Sequence, residues 1–153
     1  MRNNRIVTGI SFIGIVLTLL ILSLRSSVDY EFIEDPYRKY VTEYVETLES
    51  NGISMPHQKR WTVRSENGLR YTNIIGQARG MYDDRQVLIL LNPLLKLQDE
   101  NFIRFTLWHE LTHDIFNVTH GTTLMMKPVA SMNDGDVFNV AKLLLINYLK
   151  ENR

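Results

Sequence analysis

Three of the four histidines of this 153-residue chain lie within twelve residues, and this cluster constrains the fold more than any other feature. The first two belong to the run His109-Glu110-Leu111-Thr112-His113, and His120 follows seven residues later. Residues four apart lie on one face of a helix, with Cβ atoms about 6 Å apart. For the three side chains to meet, the chain must be helical through His113 and then turn back. Asn117 is suited to end that helix, because Asn tolerates the left-handed backbone conformation.

The residue types in this cluster are those of a catalytic metal site. Catalytic zinc takes three protein ligands, often histidines, and keeps a fourth position open for water. We therefore expect His109, His113 and His120 to bind Zn2+. Glu110 lies one residue round the helix, where its carboxylate can contact a metal-bound water without binding the metal, so it is the expected general base.

Other interpretations of the same residues stay open from the sequence. Asp134 or Asp136 is the alternative third ligand in place of His120, although either residue can instead cap the last helix. Asp114 follows His113 directly and is either a carboxylate that orients a ligand's second ring nitrogen or a solvated surface aspartate. Without a metal, the two helical histidines would simply lie on the surface of an amphipathic helix.

The N-terminal segment has the character of a membrane anchor. Residues 6–24 carry no charge, and about 20 apolar residues suffice to span a bilayer. The sequence around Arg25 is a poor cleavage site, so we predict an uncleaved anchor, with a cleaved signal peptide as the alternative. Arg2 and Arg5 precede the apolar run and acidic residues follow it, which predicts that the remaining domain lies outside the cytoplasm. The predicted division is an anchor at residues 1–25 and a domain at residues 26–153.

That domain is predicted to be α+β, with a small sheet, an active-site helix and a C-terminal helix. Residue spacing and capping signals predict helices from Asp35 to about Gly52, from about Asp99 through Phe116, and over about residues 136–150. Strand-like segments occupy residues 60–64, 71–82 and 86–91, with a turn at residues 83–84 that predicts a hairpin. The formal net charge of zero argues against a nucleic-acid partner, and the absence of cysteine excludes a disulfide scaffold and a cysteine nucleophile.

The histidine region resembles the metzincin zinc peptidases, especially small matrixin-like ones. The family pattern is His-Glu-x-x-His-x-x-Gly-x-x-His followed by a turn that contains methionine. Here His120 falls one residue later than in the strict pattern, and Asn117 stands near the glycine position. Residues 124–128 match the Met-x-Pro segment of longer-spaced members, so the resemblance implies that Met126 is the Met-turn residue under the zinc. It also implies a zincin-like fold with an edge strand beginning at residues 76–79.

These observations together predict a membrane-anchored zinc metallopeptidase. Its partners would be a peptide or protein substrate, lying extended along the edge at residues 76–82, and the membrane through residues 6–24. The ligand chemistry alone also allows ester or amide hydrolysis, and the resemblance is what selects peptides. The alternative is a non-catalytic, membrane-tethered zinc-binding or interaction domain, which has no need of a carboxylate at Glu110.

Overall fold

The structure, a computed structural model, describes residues 32–127 and 135–152. Within these ranges the chain forms the predicted mixed α+β fold, with one four-stranded sheet and three α-helices. The strands are β1 (Phe32–Ile33), β2 (Arg60–Ser65), β3 (Gly76–Ala78) and β4 (Gln86–Leu91), and the helices are α1 (Asp35–Ser50), α2 (Glu100–Phe116) and α3 (Gly135–Glu151).

The strand order in the sheet is β1-β2-β4-β3. Strands β1, β2 and β4 run parallel, whereas β3 lies at one edge and pairs antiparallel with β4, as the predicted hairpin requires. Strand β3 is shorter than the predicted segment of residues 71–82. The chain leaves the strand on one side because the Thr72 hydroxyl forms a local turn with Leu69, and on the other because Tyr82 adopts a left-handed φ of 63°.

Helix α1 packs against α2, and the Tyr37 hydroxyl on its buried face hydrogen-bonds with that of Ser65 at the end of β2. Its buried side chains fall at the predicted helical spacing: Tyr37, Tyr40, Val41, Tyr44, Val45 and Leu48. The sequence predicts Asp35 as the N-cap, with Pro36 at the first helical position, but this is wrong by one residue, because Glu34 is the N-cap and Asp35 is already helical. The Glu34 carboxylate accepts hydrogen bonds from the backbone N–H and hydroxyl of Ser65, which connects the start of α1 to the end of β2.

Helix α2 is the central element and carries the histidine motif. The Asp99 side chain caps it by accepting from the Asn101 N–H at 2.8 Å. Trp108 is fully buried and packs edge-on between Tyr44 of α1 and Phe138 of α3. These aromatic contacts fix the middle of α2 in the core, where His109, Glu110 and His113 are buried.

The predicted anchor at residues 6–24 lies outside the described residues. In residues 32–127 and 135–152, no helix is long and apolar enough to cross a membrane. Asp134, one of the alternative metal ligands, also lies outside the described ranges.

Candidate metal centre

The structure brings together the three histidines that the sequence singled out. The Nε2 atoms of His109 and His113 are 3.1 Å apart, and the Nε2 of His120 lies 3.2 Å from the first and 3.1 Å from the second. This nearly equilateral triangle of nitrogens could hold a metal ion. The rings of the two helical histidines are almost perpendicular, at 84°, so their Nε2 atoms converge on one point from different directions.

Backbone carbonyls orient the two helical imidazoles. His109 donates from Nδ1 to the carbonyl of Met125 at 2.8 Å, and His113 donates from Nδ1 to the carbonyl of Val118 at 2.6 Å. A carbonyl only accepts, so Nδ1 must carry the proton and Nε2 keeps a free lone pair. Hydrogen bonds of this kind fix the tautomer and the ring orientation of metal-binding histidines.

Burial keeps these rings in the neutral form that binds metals. Desolvation lowers the pKa of His109 to about 4, against a smaller opposing effect of its hydrogen bond to Met125. The pKa of His113 is also lowered, chiefly by desolvation. Protonated imidazoles at such short distances would repel one another, whereas neutral ones leave their nitrogens able to hold a metal ion.

The turn that returns His120 to the helix is the predicted one. Helix α2 ends at Phe116, and Asn117 adopts a left-handed conformation with φ 55° and ψ 28° while its N–H donates to the carbonyl of His113. The side chain of Asn117 also accepts a hydrogen bond from the N–H of Tyr82, which lies beside the sheet edge. Val118 is buried directly after the turn, so the loop is held by the Asn117 hydrogen bond to Tyr82 and by the packing of Val118 in the core.

Glu110 lies beside the triangle and is 8% exposed. Burial raises the pKa of its carboxyl to about 7, although a hydrogen bond from the Ala78 backbone N–H acts in the opposite direction. A carboxyl with its pKa near neutrality can both accept and release a proton in the physiological range. Glu110 thus lines the same cleft as His113 and His120, and its role as general base stays a prediction.

A cleft of about 540 Å³ opens onto the candidate centre. One wall consists of β3 and the residues that follow it, and the other contains Glu110, His113 and His120. The two walls are close: a Cβ atom on Gly76 would lie 2.8 Å from Cγ of Glu110. Gly76 is therefore required by the close approach of the edge strand to the carboxylate, a requirement that the sequence did not reveal.

Asp114 has different partners from those that the sequence suggested. It is neither solvated, being 1% exposed, nor the partner of a ligand imidazole, since His113 donates to Val118. Its Oδ2 accepts hydrogen bonds from the backbone N–H of Gly80 at 2.6 Å and of Leu88 at 3.3 Å. Asp114 thus connects α2 to β4 and to the cleft wall after β3. Its carboxylate also fills the space that a side chain at Gly80 would need.

The methionine segment supports the centre through its backbone. The Met125 carbonyl accepts from His109, and the carbonyl of Met126 accepts from the N–H of Gly121 at 3.0 Å. The side chains of Met125 and Met126 are fully buried in a turn after His120.

Asp136, the alternative ligand that the structure describes, is exposed in the first turn of α3 and does not belong to the histidine group.

Comparison with known proteins gives no match. No protein-family model matches the chain, and no curated protein or solved structure is significantly similar to it.

Proposed function

We propose that the protein is a membrane-anchored zinc metallopeptidase of metzincin-like type. The observation that carries this proposal is the convergence of three histidine Nε2 atoms beside a buried glutamate, at the floor of a cleft that one sheet edge lines. A structural zinc site would have four closed ligands and no reason to place a carboxylate with a raised pKa next to them.

The three histidines fit zinc in number and in spacing. Three nitrogens bound tetrahedrally to zinc at about 2.0–2.1 Å are separated by about 3.3–3.4 Å. The observed separations of 3.1–3.2 Å are close to that value. Imidazole ligands also suit copper, nickel and iron, and the adjacent glutamate in the His-Glu-x-x-His pattern favours zinc, because this is the arrangement of zinc peptidases.

In this proposal the metal supplies Lewis-acid chemistry: it acidifies water and polarises the scissile carbonyl. Glu110 takes the proton of the attacking water and delivers it to the leaving amine nitrogen, so the carboxyl returns to its starting state. His109 and His113 would remain neutral throughout, because each Nδ1 keeps its own proton in a hydrogen bond to the carbonyl of Met125 or Val118, and each Nε2 carries none.

The edge strand β3 offers a binding surface for an extended peptide. In this segment the residues that hydrogen-bond to β4 alternate: Ile75, Gln77 and Arg79. At one end the Asn92 N–H donates to the Ile75 carbonyl, and at the other the Arg79 N–H donates to the Leu88 carbonyl. The intervening backbone groups at Gly76 and Ala78 therefore point to the other side of the strand. Because the Ala78 N–H already donates to the Glu110 carboxylate, a substrate backbone would pair on that side with Gly76 and the Ala78 carbonyl, which would pass its scissile bond over Glu110.

The cellular arrangement follows from the sequence alone. Residues 6–24 would anchor the chain in the membrane, with the peptidase domain on the extracytoplasmic side as the charge asymmetry predicts. Few residues separate this run from β1 at Phe32, so the domain would act close to the membrane surface.

The experiment begins with metal analysis by mass spectrometry on the full chain, purified in detergent without chelator. About one zinc per chain is expected, with loss in His120→Ala and retention in His57→Ala, the matched control at the histidine outside the cluster. A quenched-fluorescent peptide library then tests hydrolysis, with Glu110→Gln as the variant that keeps zinc and loses activity. Zinc without hydrolysis would favour the non-catalytic tethered domain, and no metal in the reconstituted wild type would overturn the proposal.

A further inference from the structure

Arg79 occupies a distinctive place in the cleft. It follows β3 directly, lines the cleft and is exposed. In residues 32–127 and 135–152, no carboxylate forms an ion pair with its guanidinium, although several other arginines do have such partners: Arg38, Arg64, Arg85 and Arg104. This cation of the cleft lining is thus one with which no described carboxylate forms an ion pair.

The neighbouring Gln77 holds this guanidinium in a defined orientation. Its Oε1 accepts from Nε of Arg79 at 3.1 Å and from Nη2 at 2.8 Å, so one edge of the guanidinium is occupied. Within the part of the chain that the structure describes, no side chain or carbonyl accepts at the edge formed by the two terminal nitrogens. Two parallel N–H groups at that edge match the two oxygens of a carboxylate.

We propose that Arg79, positioned by Gln77, is a specificity-determining residue that binds a carboxylate of the peptide substrate. This inference rests on the proposed peptidase function and extends it to a substrate class, acidic peptides. The shared chemistry allows two sources, an Asp or Glu side chain or the C-terminal carboxylate of a short peptide. Both would form a bidentate ion pair with the free edge of Arg79.

The charges around the cleft favour the same class of substrate. Among the described residues that line it, Glu110 is the carboxylate and is buried at the floor, whereas Arg79 lies exposed at the rim. A bound divalent cation would make the site still more positive. An anionic peptide is therefore attracted to the cleft, and a cationic one is repelled.

The test uses matched peptides on the full-length, zinc-loaded protein in detergent. One pair differs by Glu against Gln within a sequence whose C-terminus is amidated, and the other pair differs by a free or amidated C-terminus without any acidic side chain. We expect wild type to prefer the carboxylate member of one pair by about tenfold in kcat/KM at low salt. Arg79→Ala should abolish that preference, Arg79→Glu should invert it, and Arg85→Ala, whose arginine already pairs with Asp83, should leave it unchanged.

Binding provides a readout that does not depend on turnover. Fluorescence anisotropy of the same peptides with the Glu110→Gln protein should show the same preference in Kd and the same loss in Glu110→Gln/Arg79→Ala. Equal affinity for both members of each pair, or a preference that survives Arg79→Ala, overturns the inference. Failure of wild type to cleave any peptide while the binding preference persists would refute the peptidase proposal and leave the carboxylate site supported.

Discussion

Asp114 gives the sharpest test of how the centre is supported, because its two substitutions separate its hydrogen bonds from its charge. Both of its observed backbone partners, Gly80 and Leu88, donate to the same oxygen, Oδ2. Replacement by Ala leaves two N–H groups without an acceptor, each at a cost of about 1–3 kcal/mol. Since the Leu88 bond is long at 3.3 Å, we expect a total loss of about 2–4 kcal/mol for Asp114→Ala. Asp114→Asn can place its amide oxygen at the Oδ2 position and should lose about 1 kcal/mol or less.

Intrinsic fluorescence during urea unfolding measures these losses in the full chain. Both tryptophans of the sequence, Trp61 and Trp108, are fully buried in the folded domain, so their emission reports on that domain. Asp84→Ala is the control, because Asp84 is exposed. The reasoning would be refuted if Asp114→Ala lost less than about 1 kcal/mol, or if Asn were as harmful as Ala.

Three further predictions concern the geometry of the centre and its metal. Gly76→Ala should reduce kcat about 100-fold with zinc content unchanged, because the new Cβ would lie 2.8 Å from Cγ of Glu110 and displace that side chain. An unchanged kcat would contradict this prediction. Asn117→Ala should cost about 1 kcal/mol and weaken zinc binding, since φ is 55°, whereas Asn117→Gly should retain zinc in a competition assay with a chelating dye. Zinc at a hundred times its Kd should stabilise the domain by about 2.7 kcal/mol and raise its melting temperature by about 10 °C, and His120→Ala should lose most of that shift.

The parts of the fold that the sequence predicted are those with local signals. Helix α2 carries its start signal in Asp99 and its stop signal in Asn117, and both operate as expected. Strand β4 (Gln86–Leu91) also has the predicted bounds, because an apolar run between a turn and Asn92-Pro93 is unambiguous. Strand β1 has two residues, too few for any periodicity, and its parallel pairing with β2 depends on contacts about thirty residues apart.

The site was predictable where side-chain identity determines it. The spacing of the three histidines was sufficient to predict that they meet. The acceptors of their Nδ1 protons are backbone carbonyls, which carry no signal of residue type. The need for glycine at Gly76 arises from Glu110 on α2, and that at Gly80 from Asp114 on α2 and the Gln86 carbonyl on β4, so only the packing of the helix against the sheet edge reveals it.

The stability of a Glu110 variant tests whether the buried carboxylate on α2 serves function or stabilises the fold. Burial raises the pKa of the Glu110 carboxyl from 4.5 to about 7, so ionisation of this carboxyl favours the unfolded state. This penalty is absent below the unfolded pKa, grows as pH rises between about 4.5 and 7, and is full above that range, at an order of 1–3 kcal/mol. Glu110→Gln keeps an acceptor for the Ala78 N–H and carries no charge.

In metal-free protein, Glu110→Gln should therefore be more stable than wild type at pH 7.5, and the difference should vanish near pH 4.5. Paired urea titrations at the two pH values measure it, and the other titrating groups are common to both proteins. That result would show that the Glu110 carboxylate lowers the stability of the fold, as expected for a residue that serves the proposed proton transfer. A Glu110→Gln protein that is less stable than wild type at pH 7.5 would instead show that the fold itself depends on this carboxylate.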